Sequence, residues 1–120
     1  MDKKSKNFRD LRIWNKGIEI VCDTYDLTNK FPRSELYGLV SQLRRSAVSI
    51  PSNIAEGFKR FHDKEYKQFL YITLGSSAEL ETQLEISAKL NYIKTHDLDN
   101  MREKIDHLSK MISVLIKKLR

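Results

Sequence analysis

From Leu98 to Leu119 the apolar residues Leu98, Met101, Ile105, Leu108, Ile112, Leu115 and Leu119 alternate spacings of three and four without exception. An α-helix turns once in 3.6 residues, so this rhythm puts all seven on one stripe that only another helix can cover economically. The rhythm recurs three more times. Between about Leu11 and Asn29 it runs Leu11, Trp14, Ile18, Val21, Tyr25. After Ser34, read as an N-cap, it runs Leu36, Val40, Leu43, Ala47, Ile50, Ile54. After Asp63, read as a second N-cap, it runs Tyr66, Phe69, Leu70, Thr73, Ser77, Leu80, Leu84, Ala88. Phe31 and Pro32 separate the first two segments, because the residue before a proline is pushed out of the helical region. Gly57 and the polar FKRFHD run separate the next two. No strand pattern competes. With short connections near residues 30–34, 60–63 and 91–97, the chain is predicted to be all-α, an antiparallel up-down-up-down four-helix bundle.

Pro51 interrupts none of this. Proline lacks the N–H that would bond the carbonyl of Ala47, and in a helix interior it costs roughly 3 kcal/mol. The stripe nevertheless keeps its phase from Ala47 through Ile50 to Ile54, so the second helix is expected to bend at Pro51 and continue. Ser46, Ser49, Ser52 and Asn53 surround the proline as groups able to bond carbonyls that the bend would free.

A chain of 120 residues suits one domain, residues 1–120, with residues 1–8 expected as a flexible basic segment. The single Cys22 cannot form an intrachain disulfide and, beside Ile20 and Val21, reads as a small core residue in a reducing cytoplasm. No apolar run approaches the ~20 residues of a membrane helix, and MDKKSKNFRDLRI lacks the apolar region of a secretion signal. The expectation is a cytoplasmic protein with no membrane partner.

Two helices carry more apolar surface than one stripe. On the first, Ile13, Gly17, Ile20, Thr24 and Leu27 form a second line, roughly 120° from the first at about 100° per residue. On the second, Val48, Pro51, Ala55 and Phe58 widen the apolar face. Surface of this extent marks an interface, so Ile13, Gly17, Ile20, Leu27, Val48, Pro51, Ala55 and Phe58 are expected to join copies of the chain. A bend at Pro51 that turns some of them into the monomer core is the alternative.

The formal net charge is +6, and its distribution says more than its sum. In an up-down bundle, residues 1–16, 55–68 and 109–120 share one end. They hold 14 Lys and Arg against 5 Asp and Glu, leaving 8 against 11 elsewhere. Helix dipoles offset one another at such an end, so this polarity belongs to the side chains. A field of one sign collects polyanions. The candidate nucleic-acid-binding residues are therefore Lys3, Lys4, Lys6, Arg9, Arg12, Lys16, Lys59, Arg60, Lys64, Lys67, Lys117, Lys118 and Arg120, with Lys110 nearby. Phe8, Phe61 and Tyr66 lie among them and either stack on bases or close the core. The competing reading is an adaptor whose basic surface meets an acidic protein.

No constellation for chemistry emerges. Glu-x-x-His pairs, a Gly-rich phosphate loop and a Cys pair are all absent from the sequence, and no cofactor or metal is expected. His62, Asp63, Glu65 and Tyr66 read as a helix start. Arg44, Arg45, Glu56 and Glu79 read as structural ion pairs, with Glu79 or Glu81 available to Arg44 or Arg45. The expectation is a protein that is not an enzyme.

Taken together, FRDLRIW, FPRSELYGLVSQLRRSAVSIPSNIAEGFKR and GSSAELETQLEISAKLNYI resemble the four-helix bundle protein family encoded within intervening sequences of bacterial large-subunit ribosomal RNA genes. The resemblance covers most of the chain. It implies a cytosolic bundle that assembles as a ring of five, a homopentamer. It also implies relatives that act as accessory proteins of diversity-generating retroelements, where they bind nucleic acid and a reverse transcriptase. His62 departs from the Ser or Thr common in that family, which weakens a capping box with Glu65.

Overall fold

The computed structural model describes residues 7–120. It contains α1 (Arg12–Thr28), α2 (Leu39–Phe58), α3 (Asp63–Lys89) and α4 (Thr95–Lys118), with short 3-10 turns at Phe8–Asp10 and Arg33–Glu35 and no strand among the described residues. Each helix packs on the next and α4 returns to α1, forming a four-helix bundle 44 Å long. Gly17 of α1 meets Ile50 and Pro51 of α2, while Thr28 at the end of α1 accepts a hydrogen bond from Arg44 near the start of α2.

The stripe of α4 is buried from Leu98 to Leu115, and Leu119 is half-buried. Val40, Leu43, Ala47, Ile50 and Ile54 of α2 and Tyr66, Leu70, Thr73, Ser77, Leu80 and Leu84 of α3 are buried as their spacing predicts. Leu36 is not, because α2 begins three residues later. Gly38 is its N-cap, and the Glu35 carboxylate accepts the Leu39 N–H at 3.3 Å, taking the role expected of Ser34. At the start of α3, His62 holds the N-cap position without a side-chain bond, and Asp63 is already inside the first turn.

On α1 the two apolar lines exchange roles. The buried face is Ile13, Gly17, Ile20, Thr24 and Thr28, whereas Trp14, Ile18 and Val21 are half-buried and Tyr25 is exposed. Two features favour this face. Gly17 has no side chain, and a Cβ there would stand only 3.3 Å from Ile50 and Pro51, so with any other residue α2 would have to give by a few tenths of an ångström. Thr24 and Thr28 donate to the carbonyls of Ile20 and Thr24 at 2.8 Å, so both hydroxyls are buried with a partner on their own helix.

Ile13, Gly17, Ile20 and Pro51 therefore belong to the interior of a single chain, which corrects their assignment to a surface between copies. Leu27 and Phe58 pack partly buried against the same core and Ala55 is half-buried, leaving Val48 as the one exposed member of that set. Cys22 is exposed, not core, since it lies off the buried face of α1.

Helix α2 runs unbroken through Pro51, whose ring fills the space opposite Gly17. Of the polar residues around it, Asn53 donates to both the carbonyl and the hydroxyl of Ser49, each at 2.8 Å, and that hydroxyl meets Ser76 of α3 at 2.8 Å. The supported carbonyl is thus Ser49's, whereas the carbonyl that loses its helical donor to Pro51 is Ala47's.

Tight links set the remaining joins. Helix α3 ends with Asn91 at φ 64°, its N–H bonded to Ala88 and that of Tyr92 to Ser87, which satisfies two terminal carbonyls and turns the chain toward α4. The Tyr92 hydroxyl then donates to Glu35 at 2.9 Å, tying this turn to the one before α2. Between α2 and α3 the contact narrows at Gly57, where a Cβ would lie 2.7 Å from the Cβ of Phe69 and 3.1 Å from Tyr66. Between α4 and α1, Lys104 donates to Asp23 and Glu19, the latter at 3.0 Å. These bonds, Asp23's first, hold the Lys104 ammonium above its ordinary 10.5, and the bond from Lys104 holds Glu19 below its ordinary 4.5.

Two outcomes are expected. Gly57→Ala should cost about 1–3 kcal/mol by forcing Phe69 aside, whereas Gly75→Ala, with nothing within 4 Å of the added carbon, should stabilise by about 0.5–1 kcal/mol through helix propensity; urea unfolding of both variants checks the contrast. Lys104→Met should cost about 1 kcal/mol at neutral pH. Because Glu19 is lowered and Lys104 raised, the difference from the parent should be full between pH 4.5 and 10.5. It should fade as Glu19 protonates on the acid side and as Lys104 loses its proton on the alkaline side; melts across pH read it directly.

Candidate nucleic-acid interface

The bundle brings the expected basic residues to one end through contacts among four helix termini. Ahead of α1, Asn7 caps the first 3-10 turn by accepting the Arg9 N–H, and Phe8 folds back with its ring 5.3 Å from that of Trp14. The Arg9 guanidinium lies 4.7 Å from the Phe8 ring and the Lys59 ammonium, just past α2, lies 6.0 Å from it. At the other side of this end the Arg120 N–H reaches the Asp63 carboxylate at 3.3 Å, joining the end of α4 to the start of α3. Arg12 and Lys118 share the walls of a recess of about 370 Å³ whose floor is Ile13, Met111, Val114 and Leu115, with Asp10 at its side.

Arg9, Arg12, Lys59, Arg60, Lys64, Lys117, Lys118 and Arg120 are exposed there, and Lys67 is half-buried. Lys16 stands apart: it lines a different recess with Glu19, Glu103, Lys104 and His107, where its charge adds to that of Lys104 in favouring ionised Glu19. Lys3, Lys4 and Lys6 lie outside the described residues. Of the segment expected to be flexible, residues 1–6 lie outside the described residues, and Phe8 opens the 3-10 turn and packs on Trp14.

Acids temper this field without cancelling it. Glu56 pairs with Arg60 at 3.0 Å one turn away on the same surface, and the Arg60 guanidinium also covers the Phe69 ring at 4.9 Å. Lys110 pairs with Asp106 at 3.4 Å. Exposed pairs of this kind are weak and solvent-screened, so a phosphate can displace the carboxylate at little cost.

The expected ion pairs form differently. Arg44 bonds Thr28 and Asn29 at 3.0 Å and lies 4.4 Å over the Tyr25 ring, while Arg45 and Glu79 are exposed with no ion-pair partner among the described residues. Arg102 of α4 sits between Glu81 and Glu85, at 3.8 and 3.5 Å, where Arg44 or Arg45 had been expected. Arg44 points toward α1, where Thr28, Asn29 and the Tyr25 ring receive it.

His62, Asp63, Glu65 and Tyr66 do not converge on a reacting atom. His62 and Glu65 are exposed, Asp63 accepts from Arg120, and Tyr66 is buried with its ring edge-on to Phe58 at 6.1 Å. Sequence reasoning missed the apolar floor between Arg12 and Lys118. Met111 and Val114 sit three apart just off the main stripe of α4, a signal visible only once α1 is known to lie beside it.

Comparison with curated proteins found no match. Among solved structures, the chain is similar to a crystal structure, at 1.70 Å, of a protein of unknown function from the S23 ribosomal protein family of Bacteroides thetaiotaomicron VPI-5482. The two share 22% identity over 88% of this chain and 98% of the other, with a TM-score of 0.78, which is a likeness of fold. The model of the 23S rRNA-intervening sequence proteins matches residues 9–114, nearly the whole bundle. The chain belongs to the 23S rRNA-intervening sequence protein family.

Proposed function

We propose that this protein is a non-enzymatic, cytoplasmic homo-oligomer, a ring of five, whose basic end binds RNA or DNA with little sequence preference. The supporting observation is the gathering of Arg9, Arg12, Lys59, Lys64, Lys117, Lys118 and Arg120 from four helix termini at one end of the bundle. Flexible cations around the rim of a bundle suit phosphates, which recur along any strand, better than base edges, which need fixed donors and acceptors. Self-association would multiply this field and let one strand touch several copies.

Affinity for mixed-sequence RNA and DNA should fall about 1,000-fold between about 50 and 200 mM salt if some six phosphates are engaged. Lys117→Glu with Lys118→Glu should weaken binding to every sequence alike. No binding at low salt would refute the reading and favour an adaptor that meets an acidic protein.

Light scattering should report a multiple of the 14.1 kDa chain. Val48, 40% exposed, should be a contact residue, so Val48→Glu should reduce the assembly while the helical circular dichroism persists. Ile20→Glu should unfold the monomer, since Ile20 is core. A 14.1 kDa species for the parent chain would refute the assembly.

A further inference from the structure

Three aromatic residues lie at the basic end, and the fold uses them differently. Phe8 is engaged by Trp14, Arg9 and Lys59, and Tyr66 is buried against Phe58. Phe61 is 98% exposed in the link between α2 and α3, and among the described residues no ring or cation is in contact with it. A single exposed apolar side chain needs no explanation by itself. What singles Phe61 out is its company.

Lys59, Arg60 and Lys64 lie within three residues of Phe61 in the chain, and all three are exposed. The Arg120 to Asp63 contact brings the end of α4, with Lys117 and Lys118, to the same link. An uncovered aromatic face with exposed cations close by in the chain offers two complementary contacts to a nucleic acid. The cations take phosphates, and the ring takes a base. Only an unpaired base can present its face to that ring, because duplex bases are already stacked on each other. The exposed cations serve either form, so the ring is what discriminates between them.

We propose that Phe61 is a stacking platform for an unpaired base, and that the nucleic acid taken by the basic end is therefore single-stranded. This rests on the nucleic-acid reading of that end. The Arg60 guanidinium lies over the Phe69 ring at 4.9 Å and pairs with Glu56, so it does not cover the Phe61 ring. Nothing in the stacking contact depends on base identity, which accords with little sequence preference.

The test measures fluorescence anisotropy of labelled probes about a dozen nucleotides long at about 50 mM salt. The probes are an unstructured single strand, a duplex of equal length, and the same single strand with abasic sites throughout. Phe61→Ala should lower affinity for the normal single strand about 5- to 100-fold, leave the duplex affinity and the salt slope unchanged, and cause no further loss on the abasic strand. Phe61→Trp should retain or raise single-strand affinity. Thermal melts of both variants should match the parent, since the side chain contributes almost nothing to the core.

Binding that is present but indifferent to Phe61→Ala would overturn the platform and leave the basic-end reading standing. Absence of binding to any probe would overturn both. A Phe61→Ala variant that loses duplex and single strand equally, or changes oligomeric state, would also overturn the platform and mark Phe61 as a protein contact.

Discussion

The bundle depends on how closely α2 can approach the helices on either side of it. Toward α1 the approach is made possible by Gly17, which receives Ile50 and the ring of Pro51; toward α3 it is made possible by Gly57, which receives Phe69 and Tyr66. These two notches lie near opposite flanks of one helix. Between them, Leu43, Ala47, Ile50 and Ile54 are fully buried. Interiors are packed to the density of crystals, so a notch of one methyl group is enough to fix where the neighbour sits. With α2 seated, the start of α1, the end of α2 and the start of α3 are held together, and the basic end follows from that seating.

Much of this was legible in the sequence. Four helices with their approximate limits, the buried stripes of the last three and the continuity of the second helix through Pro51 came from spacing alone, because burial on one side imposes a 3.6-residue period whatever the partner is. The failures have a common cause. Spacing locates faces rich in apolar side chains, but a helix turns toward its neighbours the face that fits. On α1 that face contains a glycine and two threonines, which hydropathy undervalues. Reading Ile13, Gly17 and Ile20 as surplus followed directly, and so did the assignment of Cys22 to the core. The caps failed for a different reason: Glu35 and Gly38 start α2 together with a 3-10 turn and a tyrosine from the α3–α4 link, a long-range arrangement that no local motif announces.

For the candidate interface, topology carried the inference further than any motif. The order of charges along the chain was sufficient to anticipate that Arg9, Arg12, Lys59, Lys117, Lys118 and Arg120 share one end. It could not separate Lys16, whose acidic neighbours are Glu19 on its own helix and Glu103 on α4, nor distinguish three aromatic residues that look alike in sequence and differ completely in exposure. Electrostatic grouping is a property of topology; availability is a property of packing.

The interior hydroxyls carry one more implication. Thr24, Thr73, Ser77 and Ser87 each donate to a carbonyl four residues back on the same helix, so these buried hydroxyls are satisfied without a partner across the bundle. Such an interior holds few interlocking polar pairs that would have to change in concert. Individual positions are then free to drift while the architecture persists, which gives a physical basis for two chains with barely a fifth of their residues in common keeping the same shape.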